Sequence, residues 1–196
     1  MRQSLHRTIA ALVGMLCLAA CTQVQLPRPQ PVGVAPEPKG GFVLQERPPT
    51  PASPPPSAEA RDTLHRINAY RAAGATCGTR RFDPAAPVAW SPRLEQAAQK
   101  HARDMAARRT LSHAGGDGSS MSDRVAREAY AFSTLGENVS AGYTTVPEAL
   151  AGWMRSPGHC ANMMSKSFRE VGVAGASVPG DTYGWYRAMV LGSPAR

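Results

Sequence analysis

Three short segments of the chain carry side chains that could bind a cation or polarise a small group. They are LSH at 111–113, GEN at 136–138 and GHC at 158–160, and their candidate ligands are His113, Glu137 and His159. Two imidazoles and a carboxylate suit zinc, and three protein ligands with one open position are typical of an accessible zinc site. The spacings of 24 and 22 residues do not require the three side chains to meet, so separate hydrogen-bonded structural roles are the alternative.

His159 also lies directly beside Cys160, in the segment SPGHCANMM at 156–164. Such a pair could act as a base and a thiolate nucleophile. We predict instead that Pro157 ends a helix and that the segment is its exit. Adjacent side chains of an extended segment point to opposite sides, which would leave His159 facing a cleft while Cys160 turns away from it. The mature chain contains no HExxH, CxxC, Walker-type glycine loop, GxGxxG or GxSxG motif.

Residues 1–20 have the pattern of a secretory signal peptide, with a positive start and an apolar run over 8–20. This run ends in LAAC at 18–21, which resembles a bacterial lipoprotein signal. We therefore expect Cys21 to carry lipid and to become the mature N-terminus, which would anchor the protein to a membrane without spanning it. An ordinary signal peptide that contains a cysteine is the alternative. The residue after the lipidated cysteine is Thr22 and not the aspartate that would act as an inner-membrane retention signal. This favours an outer-membrane protein that faces the periplasm.

Residues 21–57 are predicted to be a semi-rigid tether, since eleven of the chain's 18 prolines lie there. Most of the net charge of +8 belongs to the part that follows. A modest basic surface outside the cytoplasm suits anionic lipid or acidic polymers and excludes nucleic acid as an expected partner. A solvated surface with no specific partner explains the charge equally well.

Only two cysteines are left for the mature domain, because Cys17 is removed with the signal peptide and Cys21 carries lipid. Cys77 and Cys160 remain. In an oxidising compartment they are expected to form a disulfide, and a pair of buried free thiols is the alternative.

The remaining chain predicts helices followed by a small sheet. Helices are expected at 58–73, 92–109, 123–129 and from 147, a strand or loop at GENVSAG, and an antiparallel hairpin of strands at 170–178 and 182–192. This order is typical of a layered α+β domain. On the second helix, His101 lies within an apolar stripe and is expected to be a hydrogen-bonded core residue. Asn162 is expected to be a turn residue whose amide bonds nearby backbone.

Six segments in this order resemble the CAP superfamily, also called the SCP-like or cysteine-rich secretory protein, antigen 5 and pathogenesis-related family, and in particular its bacterial branch. They are LHRINAYRAAG, RLEQAAQKHARDMAARRTLSHAGGDG, GENVSAGY, AGWMRSPGHCANMM, FREVGVAGA and YGWYRAMVLG. The resemblance implies an α+β fold over residues 58–196, a three-layer α-β-α sandwich with a central antiparallel sheet. It also implies a cleft bordered by His113, Glu137 and His159, which in some members holds a divalent metal, usually zinc.

One departure from the family bears on that metal. Eukaryotic members commonly carry a second acidic residue before the GH segment, where this chain has Arg155 and Ser156. A complete metal site at His113, His159 and Glu137 is therefore an open expectation, with zinc or another divalent cation as the candidate.

Three functions are compatible with these features. The first is a lipid-anchored envelope protein, not an enzyme, whose cleft binds a small apolar or amphipathic ligand, an envelope polymer or another protein. The second is a metal-dependent hydrolase in which Glu137 is the general base. The third is a structural or adhesive module of the envelope.

Overall fold

The computed structural model describes residues 56–196. Residues 1–55, with the predicted signal peptide, Cys21 and most of the predicted tether, lie outside the described residues, so the predictions made for them stay predictions. The helices are α1 Ala58–Ala73, α2 Pro92–Arg108, α3 Met121–Arg127, α4 Val146–Arg155 and α5 Pro157–Met164. The strands are β1 Ala75–Cys77, β2 Arg80–Phe82, β3 Ala89–Trp90, β4 Phe132–Ala141, β5 Glu170–Ser177 and β6 Trp185–Pro194.

The central sheet has the strand order β3-β5-β6-β4. β6 pairs antiparallel with both β5 and β4, which confirms the predicted C-terminal hairpin, and Ser177 of β5 lies opposite Trp185 of β6. The two-residue strand β3 pairs parallel with β5, so the sheet is antiparallel except at that edge. β1 and β2 form a separate hairpin that the sequence analysis did not predict.

Helices cover both faces of the sheet, as the alternating directions of the side chains along β6 show. Tyr186, Ala188 and Val190 pack in a core with residues of α2 and α3. Met189 and Leu191 pack in a second core with residues of α1, α4 and α5. Because successive side chains of a strand point to opposite faces, these two cores are two layers on either side of one sheet. The predicted α-β-α sandwich is confirmed.

Local signals fix most helix starts. Ser57 accepts a hydrogen bond from the Ala60 amide at 3.1 Å, and α1 spans the predicted 58–73. α3 begins two residues earlier than predicted, because Ser120 and Asp123 form a capping box. α2 lies close against β5 at Gly172, where a β-carbon would overlap the backbone of Glu95. Within residues 56–196, no helix is long and apolar enough to cross a membrane.

The segment at 156–164 corrects one prediction. The predicted helix does end before Pro157, since α4 ends at Arg155, but the segment that follows is not its exit: Pro157 is the first residue of a further helix, α5. A proline suits that position because its missing N–H is one of those that a helix start leaves unbonded. Cys160 of α5 forms a disulfide with Cys77 of β1, as predicted. His159 and Cys160 do point in different directions, but through the rotation of a helix and not the alternation of an extended segment.

Candidate functional site

The carboxylate of Glu137 is the centre of the candidate site. Glu137 lies on β4, and only 7% of the residue is exposed. Its Oε1 is 2.8 Å from Nδ1 of His113, and its Oε2 is 2.7 Å from Nη2 of Arg124. A carboxylate accepts hydrogen bonds, so we assign the imidazole proton to Nδ1 of His113. The other ring nitrogen, Nε2, then offers a lone pair on the side of the ring that faces away from Glu137.

His113 is presented at the surface by the loop between α2 and α3. Its side chain is 62% exposed. The loop is held by its own hydrogen bonds, from the Ala114 amide to Oγ of Ser112 and from the Gly115 amide to the Ser119 carbonyl. The ring borders an open depression of about 460 Å³, which is lined by His113, Ala114, Gly118, Ser119, Ser120, Met121 and Glu137. The site is therefore a buried carboxylate that orients an exposed imidazole in a groove.

Arg124 is a residue of the site that the sequence analysis missed. It lies on α3, is 7% exposed, and donates to the Ser119 carbonyl at 3.0 Å as well as to Glu137. The capping box of Ser120 and Asp123 fixes the start of this helix and so the position of Arg124. No sequence pattern marked it, because an arginine in a short polar helix is usually a solvated charge.

His101 is a core residue, as predicted. It is fully buried on α2, its Nε2 is 2.9 Å from the Ser112 carbonyl, and the same atom is 3.9 Å from Oε1 of Glu137. Burial lowers the pKa of His101; the Glu137 carboxylate opposes this effect and the Arg124 guanidinium adds to it. The carbonyl can only accept, so Nε2 carries the proton. His101 therefore packs behind the site as a neutral donor that anchors the loop before His113.

His159 is beside the site but outside the hydrogen-bonded group. It is half-buried on α5, and burial lowers its pKa, with a further lowering from nearby His113 when that imidazole is protonated. Within residues 56–196 its ring makes no hydrogen bond to His113 or Glu137. The structure thus brings two of the three predicted ligands, His113 and Glu137, into contact and places the third, His159, near enough to His113 for that imidazole to affect its pKa.

Asn138 and Asn162 join the strand of Glu137 to the helix of His159. Asn138, fully buried, donates to the His159 carbonyl at 3.1 Å. Asn162 donates to the Glu137 carbonyl at 3.2 Å and to Oδ1 of Asn138 at 2.9 Å. We predicted a turn residue whose amide bonds nearby backbone; Asn162 instead lies in α5, and its amide bonds the backbone of β4, 25 residues earlier in the sequence.

The donor set does not fit a metal ion as it stands. In the described part of the chain, no three His, Cys, Asp or Glu side chains are grouped so that they could hold one. Both oxygens of Glu137 are already bonded, one of them to a guanidinium. Cys160 is bonded to Cys77, so it offers no thiolate, and a Cys/His nucleophilic pair is excluded.

A sheet between helical layers, with the SH, GEN and GH segments gathered at one site, defines a CAP-type domain. The model of the cysteine-rich secretory protein family, CAP, matches residues 64–190, which is more than half of the chain, and the chain belongs to this family.

Individual relatives are distant. A protein of Bacillus subtilis named as the uncharacterized membrane protein YlbC is 28% identical over 88 residues, which are 45% of this chain and 25% of that protein. The chain thus spans about a quarter of the length of that relative. An outer surface protein of Borrelia burgdorferi has a similar structure, with a TM-score of 0.58, 14% identity, and coverage of 70% of this chain and 93% of that one.

An extracellular protein of Bacillus anthracis that contains an SCP domain gives a TM-score of 0.52 at 23% identity, over 72% of this chain and 45% of that one. At these identities the two structures support the fold alone.

Proposed function

We propose that this protein is a lipid-anchored, extracytoplasmic binding protein whose groove at His113 and Glu137, with His159 beside it, takes a small amphipathic or envelope ligand. One observation carries the proposal. The Nδ1 atom of His113 is held by a buried carboxylate at 2.8 Å while the side chain is 62% exposed. An imidazole fixed in this way is pre-organised to accept a hydrogen bond from a ligand at Nε2.

The lining of the groove supports an amphipathic ligand. His113 and the serines 119 and 120 supply polar groups, while Ala114 and Met121 supply apolar surface. A few placed polar groups in a partly apolar depression are typical of small-molecule sites. A ligand with a hydroxyl or N–H group beside an alkyl portion matches both kinds of surface.

The location outside the cytoplasm rests on the N-terminal sequence pattern and on the relatives. Cys21 follows an apolar run of the lipoprotein type, and similar structures belong to proteins named as outer surface and extracellular proteins. The membrane is thus the first partner, through lipid on Cys21, and the outer membrane facing the periplasm is the proposed site.

A metal-dependent hydrolase is less well supported. Such an enzyme needs Glu137 to accept a proton from a metal-bound water, whereas both oxygens of Glu137 are engaged. The third function, a structural or adhesive module, has no small ligand. It would be favoured if the following experiment found no bound ligand.

The test is native mass spectrometry of the protein extracted from the envelope of its own bacterium. The expected result is an additional non-covalent mass in the wild type. The His113→Ala variant should lose at least nine-tenths of this occupancy, and His65→Ala, a change of an exposed histidine on α1, should retain it. No additional mass in the wild type, or equal occupancy in the His113→Ala variant, would contradict the proposal.

Denaturing mass spectrometry of the same samples tests the anchor separately. Covalent acyl mass on the N-terminal peptide is expected in the wild type and absent from Cys21→Ser. An unmodified Cys21 in the envelope fraction would reject the lipid anchor without affecting the groove.

A further inference from the structure

Arg124 places a positive charge directly against the carboxylate that a metal at this site would use. The distance from Nη2 to Oε2 of Glu137 is 2.7 Å, and both side chains are more than nine-tenths buried. An arginine stays protonated in proteins. Away from bulk water the pair interacts strongly, and a second cation beside Glu137 would be repelled by the guanidinium.

We infer that the Arg124 guanidinium takes the place of a metal ion at Glu137, so that the groove works without a divalent cation. This inference concerns the site of the proposed function but does not need that function, because its readout is metal binding and not ligand binding. Arg124 is a positioning residue: it holds the carboxylate, and the carboxylate orients His113.

The other donors around Glu137 agree with this assignment. His113 turns Nδ1, with its proton, toward Oε1, and His101 turns a protonated Nε2 to the Ser112 carbonyl. A nitrogen that carries a proton cannot ligate a metal. The two groups that bond the carboxylate, Nδ1 of His113 and Nη2 of Arg124, are therefore both hydrogen-bond donors, which is the arrangement expected of a site organised around an anion.

A single substitution at position 124 should restore a metal site. Arg124→Glu replaces the guanidinium by a second carboxylate next to Glu137, and His113 becomes the third candidate ligand once a bound cation displaces the proton from its Nδ1. Glutamate is shorter than arginine, but a zinc ion between two carboxylates adds two bonds of about 2.1 Å each. The ion would occupy the space that the guanidinium leaves, so the variant is expected to gain a metal site.

The experiment titrates Zn²⁺ into the untagged full chain by calorimetry and repeats it with Co²⁺, whose visible absorption reports bound ligands. The wild type is expected to show no stoichiometric binding. Arg124→Glu should bind one ion at least a hundredfold more tightly than the wild type, and the added change His113→Ala should abolish the gain. Arg124→Gln is the matched control, since it removes the charge without adding a carboxylate, and it should bind more weakly than Arg124→Glu.

One stoichiometric Zn²⁺ in the wild type that is lost in His113→Ala would overturn the inference. So would Arg124→Glu binding no tighter than Arg124→Gln. If circular dichroism shows that Arg124→Glu is unfolded, the wild type is compared with Arg124→Gln, which is expected to bind Zn²⁺ more tightly because it lacks the guanidinium charge. Equal affinities of these two proteins would overturn the inference. Each result is independent of whether native mass spectrometry finds a ligand.

Discussion

Asn162 donates a hydrogen bond of 2.9 Å to Asn138, and this bond fixes α5 to β4. Each of the two amides also bonds the backbone of the other's element, at His159 and at Glu137. Two segments that are more than 20 residues apart in sequence are thereby held in one geometry. The position of His159 relative to Glu137 depends on these two side chains.

Asn138→Leu should therefore destabilise the protein, although the two side chains have the same number of heavy atoms and the same branching. The change leaves the His159 carbonyl and the Asn162 amide without their buried partner, and an unsatisfied buried group costs about 1–3 kcal/mol. Urea unfolding measures the loss. Ser133→Ala is the control, since its hydroxyl makes only 3.3 Å contacts in an exposed position, and it should change stability by less than about 0.5 kcal/mol. Equal stability of the two variants would show that the asparagine pair is dispensable.

Arg71 is a second buried residue with a predictable effect. It is fully buried and donates to the carbonyls of Ala86, Met163 and Ser165 at 2.7–2.9 Å. Because it satisfies carbonyls at the end of α5, Arg71→Met should lower the free energy of unfolding by at least about 3 kcal/mol, as several buried acceptors lose a charged donor.

Arg71→Lys should give an intermediate loss, because one ammonium cannot reproduce the fork of a guanidinium. Arg66→Met is the matched control on the same helix. Arg66 is exposed and paired with Asp62 four residues earlier, so its loss should cost less than about 0.5 kcal/mol. Thermal unfolding of the three variants checks the order, and an Arg71→Met variant as stable as Arg66→Met would refute the role of Arg71.

The disulfide joins Cys77 and Cys160, which are 83 residues apart in sequence. On the chain-entropy model, closing a loop of this length raises the free energy of unfolding by about 4–5 kcal/mol. The double variant Cys77→Ala and Cys160→Ala is expected to be destabilised by an amount in this range in urea unfolding. A reductant should destabilise the wild type similarly and leave the double variant unchanged. If the reductant shifted both proteins equally, another cause would be responsible.

Stability should fall as the pH falls below about 6.5. Burial lowers the pKa of His101 and of His159 from 6.5 in the folded protein. In this range the unfolded chain binds protons that the folded chain does not, and stability decreases with falling pH wherever that holds. One proton gives a slope of at most about 1.4 kcal/mol per pH unit.

His101→Gln tests the contribution of His101 to this effect, since an amide can still donate to the Ser112 carbonyl but does not titrate. The pH dependence of urea unfolding between pH 7 and pH 5 should become shallower in this variant. Identical slopes in the wild type and in His101→Gln would show that His101 is not the group that titrates.

The fold was largely predictable because its signals are local. Ser57 and the apolar positions after it predicted α1 to the residue, and Ser91 with Pro92 predicted the start of α2. The hairpin of β5 and β6 followed from apolar runs on either side of a turn. The end of α4 before Pro157 was predicted, but α5 was missed, because a proline that follows one helix can also begin the next. Only the packing of α5 against its neighbours distinguishes the two cases.

The candidate site was predictable in its residue types and not in its arrangement. Its motif residues His113, Glu137 and His159 stand out in the sequence, and the core position of His101 follows from the apolar stripe of α2. The sequence by itself determined the family, the layers and the identity of these site residues, because periodicity, caps and motifs depend on residues that are close in sequence. Only the tertiary structure decided that Arg124 contacts Glu137. A contact between two elements depends on how both of them pack, and no local sequence pattern predicts it.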